Sequence, residues 1–125
     1  MEDINDRDRW TKFVNKLITQ TAKGQLKWED SSDKTSRKYA LGPIFTAEII
    51  EDKYVAIFRY EFRYYTDEEE YDIRKDVAIE LVDEDRRELW RLPEVGERHE
   101  LIDLLEFHEA GAEATLDEFL KDDNA

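Results

Sequence analysis

The sequence predicts an α+β fold, an antiparallel four- to five-stranded meander with an N-terminal and a C-terminal helix packed on one face. Three observations carry this: apolar residues recur at helical spacing near the start, three long β-type runs fill Ile44 to Val82, and helical spacing returns after Pro93. No composition break or linker divides the chain, so residues 1–125 read as a single α+β domain, long enough to bury a core without covalent staples.

From Ile4 to Lys23 the apolar positions Trp10, Phe13, Val14, Leu17, Ile18 and Ala22 form one helical stripe. Asp6 and Asp8 lie in the first turns, Lys16 and Lys23 lie later, and Gly24 follows, which suits the helix dipole and a C-terminal stop. Leu26–Trp28 then starts a short strand. Residues 29–43 are polar, close with Gly42-Pro43, hold the only basic cluster (Lys34, Arg37, Lys38) and read as a solvated connection, extended at Tyr39–Leu41.

The β-type runs are Ile44–Ile50, Tyr54–Tyr65 and Tyr71–Val82. In the middle run Tyr54, Ala56, Phe58, Tyr60, Phe62 and Tyr64 share a face, and in the third Tyr71, Ile73, Val77, Ile79 and Leu81 do. Both sets lie under the helices if the hairpin loop is Asp67–Glu70, which pairs Phe58 with Ile79 and Tyr60 with Val77. A five-residue loop would turn the aromatic face against Asp72, Arg74 and Asp76. The same logic at Asp52-Lys53 pairs Ile49 with Ala56, Ala47 with Phe58 and Phe45 with Tyr60. One blemish follows from this register: Arg63 faces Arg74 and Glu61 faces Asp76, like against like.

A turn at Asp83–Arg86 leads to a fourth strand, Leu89–Leu92, with Val82 opposite Arg87 and Pro93 ending it. The second helix runs from Arg98 to Ala110 with Leu101, Leu104, Leu105 and His108 as its stripe and Gly111 as its stop. Thr115-Leu116-Asp117-Glu118 reads as a capping box opening a last short helix through Leu120.

Charge is divided unevenly. Residues 1–50 hold 9 basic and 8 acidic side chains and residues 51–125 hold 10 and 25, giving +1 and −15, which sum to the net −14. Such an excess repels phosphate backbones and anionic lipid, so direct nucleic-acid binding is not expected and a basic protein partner is. Adaptation to a saline environment is the competing explanation of the acidity.

Chemistry-bearing patterns are absent from the sequence. There is no cysteine, the only serines are Ser31, Ser32 and Ser36 in the polar loop, and the four glycines are isolated, which excludes thiolate chemistry, a serine triad and a phosphate-cradling loop. His99 and His108 stand nine residues apart, on opposite sides of a helix, and cannot share a metal. The acidic runs Asp67–Glu70 and Asp83–Asp85 lack EF-hand spacing. The chain is therefore expected to be no enzyme and to use neither cofactor nor metal. Without a leader pattern or a long apolar run it is expected in the cytoplasm, with no membrane role.

The expected binding surface is the sheet face turned away from the helices. It carries Arg59, Glu61, Arg63, Asp72, Arg74, Asp76 and Glu80 beside an apolar zone of Ile50, Val55, Ile57, Ala78 and Val82. Either the segment Leu26–Leu41 folds over that zone or the zone is an interface. The partner-binding candidates are Ile57, Arg59, Glu61, Arg63, Arg74, Asp76 and Glu80. Asp67, Glu68, Glu69, Glu70, Asp83, Glu84 and Asp85 would steer a basic partner into place. The functional expectation is a non-enzymatic acidic protein-binding module: an inhibitor, an immunity protein or a nucleic-acid decoy. The alternative is a small-molecule or nucleotide-binding domain clamping its ligand with tyrosines and Arg59, Arg63 and Arg74. A homodimer through a sheet edge is compatible with either.

The opening pattern Trp10, Leu17-Ile18, Thr21, Gly24, Leu26 and Trp28, followed by a tyrosine-rich meander, resembles one recurring in small prokaryotic and phage-borne proteins of no assigned activity. The resemblance spans about the first 65 residues, implies no functional residue and points toward accessory or mobile-element proteins.

Overall fold

Asp6 opens the first helix, its carboxylate accepting the Arg9 N–H at 3.1 Å, and in the computed structural model, which describes residues 6–121, that helix is α1 (Arg7–Ala22). The helical pattern expected at Ile4 lies outside the described residues. Val14, Leu17 and Thr21 form the buried stripe of α1, and Ala22, expected there, is exposed.

The strands are β1 (Glu29–Asp30), β2 (Ala40–Ile50), β3 (Lys53–Tyr65), β4 (Tyr71–Val82) and β5 (Glu88–Arg91), joined in the order β1-β2-β3-β4-β5 with every neighbour antiparallel. The helices α2 (Arg98–Glu109) and α3 (Ala112–Lys121) complete the α+β fold. The first strand forms just after the expected Leu26–Trp28. α3 starts directly after Gly111, so Thr115 lies inside the first turn, donating its N–H to the Gly111 carbonyl at 3.1 Å, and does not cap. In α2 the buried stripe is Leu101, Ile102 and Leu105, whereas His108, expected in it, is exposed.

The hairpin register is corrected by one residue. Tyr65 pairs with Tyr71, leaving five residues in the loop, closed by Thr66 N–H to the Glu70 carbonyl at 3.0 Å. Ile57 therefore faces Ile79, Phe58 faces Ala78 and Tyr60 faces Asp76. A single-residue slip exchanges the two faces of a strand, so Val55 and Ile57 lie under the helices and the Tyr-Phe series lies on the other side. The like-charged pairs vanish with it, Glu61 now facing Lys75 and Arg63 facing Ile73. The expected β2 pairing is also corrected: Phe45 meets Ile57 and Ala47 meets Val55, displaced by irregularities at Leu41–Phe45 and Glu48–Ile50. In β5 Val82 pairs with Glu88 rather than Arg87.

Both faces of the sheet are covered at its base. On one side Val14, Leu17, Leu101, Ile102 and Leu105 pack on Phe45, Val55, Ile57, Val77 and Ile79. On the other, Ile44, Ala56, Phe58, Ala78 and Val82 form a second cluster, beneath a strap formed by residues 31–39. Double cover explains why Ile44–Ala47, Val55–Phe58 and Val77–Glu80 are buried without alternation. Gly96 makes the close approach of the β5–α2 connection to α1 achievable: its φ is +73°, and a Cβ there would stand 2.9 Å from the Cβ of Val14.

Candidate functional site

The strap is held by polar clips rather than by an apolar seam. Arg37, expected in a solvated cluster, reaches across the sheet to donate Nε to Glu80 Oε1 at 2.9 Å and Nη2 to the Arg86 carbonyl at 2.9 Å. Arg91 donates to the other Glu80 oxygen at 3.1 Å, and Ser31 and Thr46 share a hydrogen bond of 2.6 Å. Arg86 bridges to Glu29 at 2.6 Å and stacks over Tyr54 at 4.5 Å. Arg86, with Lys34 second, holds the Glu29 carboxyl below its ordinary range. Burial pushes the Glu80 carboxyl up, with Arg37 and then Arg91 pulling it back. Glu80 is fully buried and both its oxygens are partnered, so this cluster fastens the strap.

The expected binding set is thereby split. Ile57 is 0% exposed in the core, so it cannot meet a partner. Arg59 points to the helical side, where it pairs with Glu106 at 2.7 Å and Asp103 at 2.6 Å of α2. Glu61 and Arg63 share that side of the sheet, while Arg74 and Glu80 lie on the other. Asp76 is engaged by Arg98 and His99 of α2, each at 3.4 Å. A clamp made of Arg59, Arg63 and Arg74 together is ruled out, because the register puts Arg74 on the opposite face.

Beyond the covered base, β3 and β4 continue as an exposed arm. β2 stops pairing with β3 at Tyr60 and β5 stops pairing with β4 at Glu80, yet the β3–β4 ladder continues to Tyr65 and Tyr71. On the strap side of this hairpin Phe58, Tyr60 and Phe62 follow each other at centroid distances of 6.4 and 5.7 Å, and Tyr64 continues the row. The Arg74 guanidinium lies 3.5 Å from the Tyr64 ring centroid and that of Arg91 5.3 Å from Tyr60. On the helical side Tyr65 and Tyr71 stand 5.6 Å apart, with Arg63 over Tyr71 at 4.7 Å. Tyr64, Tyr65, Tyr71 and Ile73 are 45, 56, 44 and 55% exposed. Of the steering candidates, Asp67, Glu68, Glu69 and Glu70 form the exposed tip of the arm, and Glu84 and Asp85 sit in the exposed β4–β5 turn, which Asp83 closes by accepting the Arg87 N–H at 2.9 Å.

At the other end of the sheet an apolar cleft of about 700 Å³ opens between α1 and β5, lined by Trp10, Phe13, Ile49, Leu81, Leu89 and Trp90 with Arg9 and Lys53 among its polar lining residues. Among the described residues no group of three or more His, Asp or Glu could hold a metal ion, and no helix is long and apolar enough to cross a membrane. No protein-family model, no curated protein and no solved structure matches the chain.

Proposed function

We propose that the chain is a non-enzymatic acidic protein-binding module acting in the cytoplasm as an inhibitor, immunity protein or nucleic-acid decoy toward a basic partner, and that the β3–β4 arm makes the contact. The observation that carries this is the arm itself, a projecting hairpin with an exposed row of tyrosines and arginines and four carboxylates at its tip. Tyrosine and arginine are the side chains that contribute most to binding when desolvated. A net charge of −14 speeds encounter with a cationic surface. The likeness of the opening pattern to prokaryotic and phage-borne proteins suits a role of this kind.

The experiment is capture from the native host at low and physiological salt, followed by association kinetics with the captured protein. Replacing Asp67–Glu70 by serine is expected to slow association about tenfold at low salt, and Tyr64→Ala to speed dissociation. An association rate indifferent to both salt and the tip carboxylates contradicts the proposal. The cleft favours one second reading, a small apolar ligand held by Trp10, Phe13 and Trp90. Such capture would change little with ionic strength.

A further inference from the structure

The arm has a free edge as well as two faces. In the β3–β4 ladder the even-numbered residues bond to each other, as Thr66 N–H to the Glu70 carbonyl shows, so odd-numbered residues of β4 direct N–H and C=O away from β3. Lower on the strand these outward groups are satisfied: the Ile79 carbonyl accepts the Leu92 N–H at 2.9 Å and the Val77 carbonyl accepts Arg98 Nη1 at 2.5 Å. Among the described residues no strand pairs with Tyr71, Ile73 and Lys75 on that side, and all three are exposed. Such an edge is a template for another strand.

We infer that the chain self-associates through this edge, two copies of β4 pairing antiparallel about Ile73 so that their sheets become continuous. The sequence of the edge, Tyr71-Asp72-Ile73-Arg74-Lys75, is self-complementary in that register. Ile73 meets Ile73, Asp72 meets Arg74 twice on one face, and Tyr71 meets Lys75 twice on the other, an ion pair and a cation–π pair each repeated by the two-fold axis. The parity agrees: odd-numbered residues face odd-numbered residues, giving hydrogen-bonded pairs and about six main-chain bonds. The one like-charged match, Glu70 with Asp76, falls at the end of the pairing, where Arg98 and His99 already hold Asp76. Pairing would bring two aromatic rows into one surface.

This does not depend on the basic partner, and the sample separates the two. Self-association is read on the pure chain with no basic protein present, at one physiological salt concentration that screens the repulsion between two copies each carrying −14. The test is sedimentation velocity on the full chain from about 5 to about 500 μM. Wild type is expected to shift from monomer to dimer across that range. Asp72→Arg or Arg74→Asp alone sets like charges opposite each other twice and raises the dissociation constant about tenfold or more. An equimolar mixture of the two variants restores opposite charges at both pairs and recovers the dimer, and their unfolding midpoints verify that each is folded. A wild type that stays monomeric throughout, single variants that dimerise as wild type does, or a mixture that fails to recover, overturns the inference.

Discussion

The same two strands pass through two environments. At the base of β3 and β4, Val55–Phe58 and Val77–Glu80 are buried on both faces, between helices on one side and the strap on the other. In the arm, Arg63–Tyr65 and Tyr71–Lys75 are exposed and held mainly by each other. The ladder is continuous across the boundary, so hydrogen bonding does not distinguish the two regions. Burial does, because it supplies most of the stabilisation, and the arm's rings and charges are therefore left available for recognition.

Substitutions that separate the two regions should show a graded response in urea unfolding. Ile57→Ala, in the doubly covered base, is expected to lose about 3 kcal/mol, the usual range for removing a buried aliphatic side chain. Glu80→Ala, which leaves the half-buried Arg37 without its carboxylate, is expected to lose about 3 kcal/mol as well. Gly96→Ala forces a Cβ against Val14 at a positive φ and is expected to lose about 2 kcal/mol. Tyr64→Ala, in the arm, is expected to change stability by less than about 0.5 kcal/mol. A loss at Tyr64 as large as that at Ile57 would remove the distinction.

A pH profile sharpens the account of the strap. Burial raises the folded-state pKa of Glu80 above its ordinary value of 4.5, so the native state binds its proton more readily than the unfolded chain does. That contribution to stability is full at low pH and is lost as pH rises through the interval above 4.5. Glu80→Gln, which cannot titrate, should remove this fall. Parallel profiles for wild type and variant from acid to neutral pH would place Glu80 outside any buried network.

The fold class and the limits of the two long strands were readable because period and turn residues are local signals: Tyr71–Val82 matches its expected bounds, β3 starts one residue before the expected Tyr54, and α2 starts at the expected Arg98, whereas β2 starts at Ala40 rather than Ile44 and takes in the Gly42-Pro43 expected to close a loop. Register was not, for a physical reason. β3 carries two apolar sets, the Tyr-Phe series and Val55 with Ile57, and alternation selects a face only when one face is wet. Cross-strand charge held the missing information, since only the five-residue loop removes Arg63 from Arg74 and sets Glu61 against Lys75. The consequences for the binding set were direct, burying Ile57 and turning Arg59 to Asp103 and Glu106. Arg37 and Glu80 are 43 residues apart and share no local pattern, so their pairing could not be seen before the strap was in place.

Residue-resolved amide hydrogen exchange along β3 and β4, in dilute protein, tests most directly the claim that stability resides in the base and recognition in the arm. The amides of Ala56, Phe58 and Ala78 should exchange near the rate set by global unfolding, with those of Phe62, Tyr64, Asp72 and Arg74 at least about a hundredfold faster through local opening. Equal protection from base to tip would contradict the account.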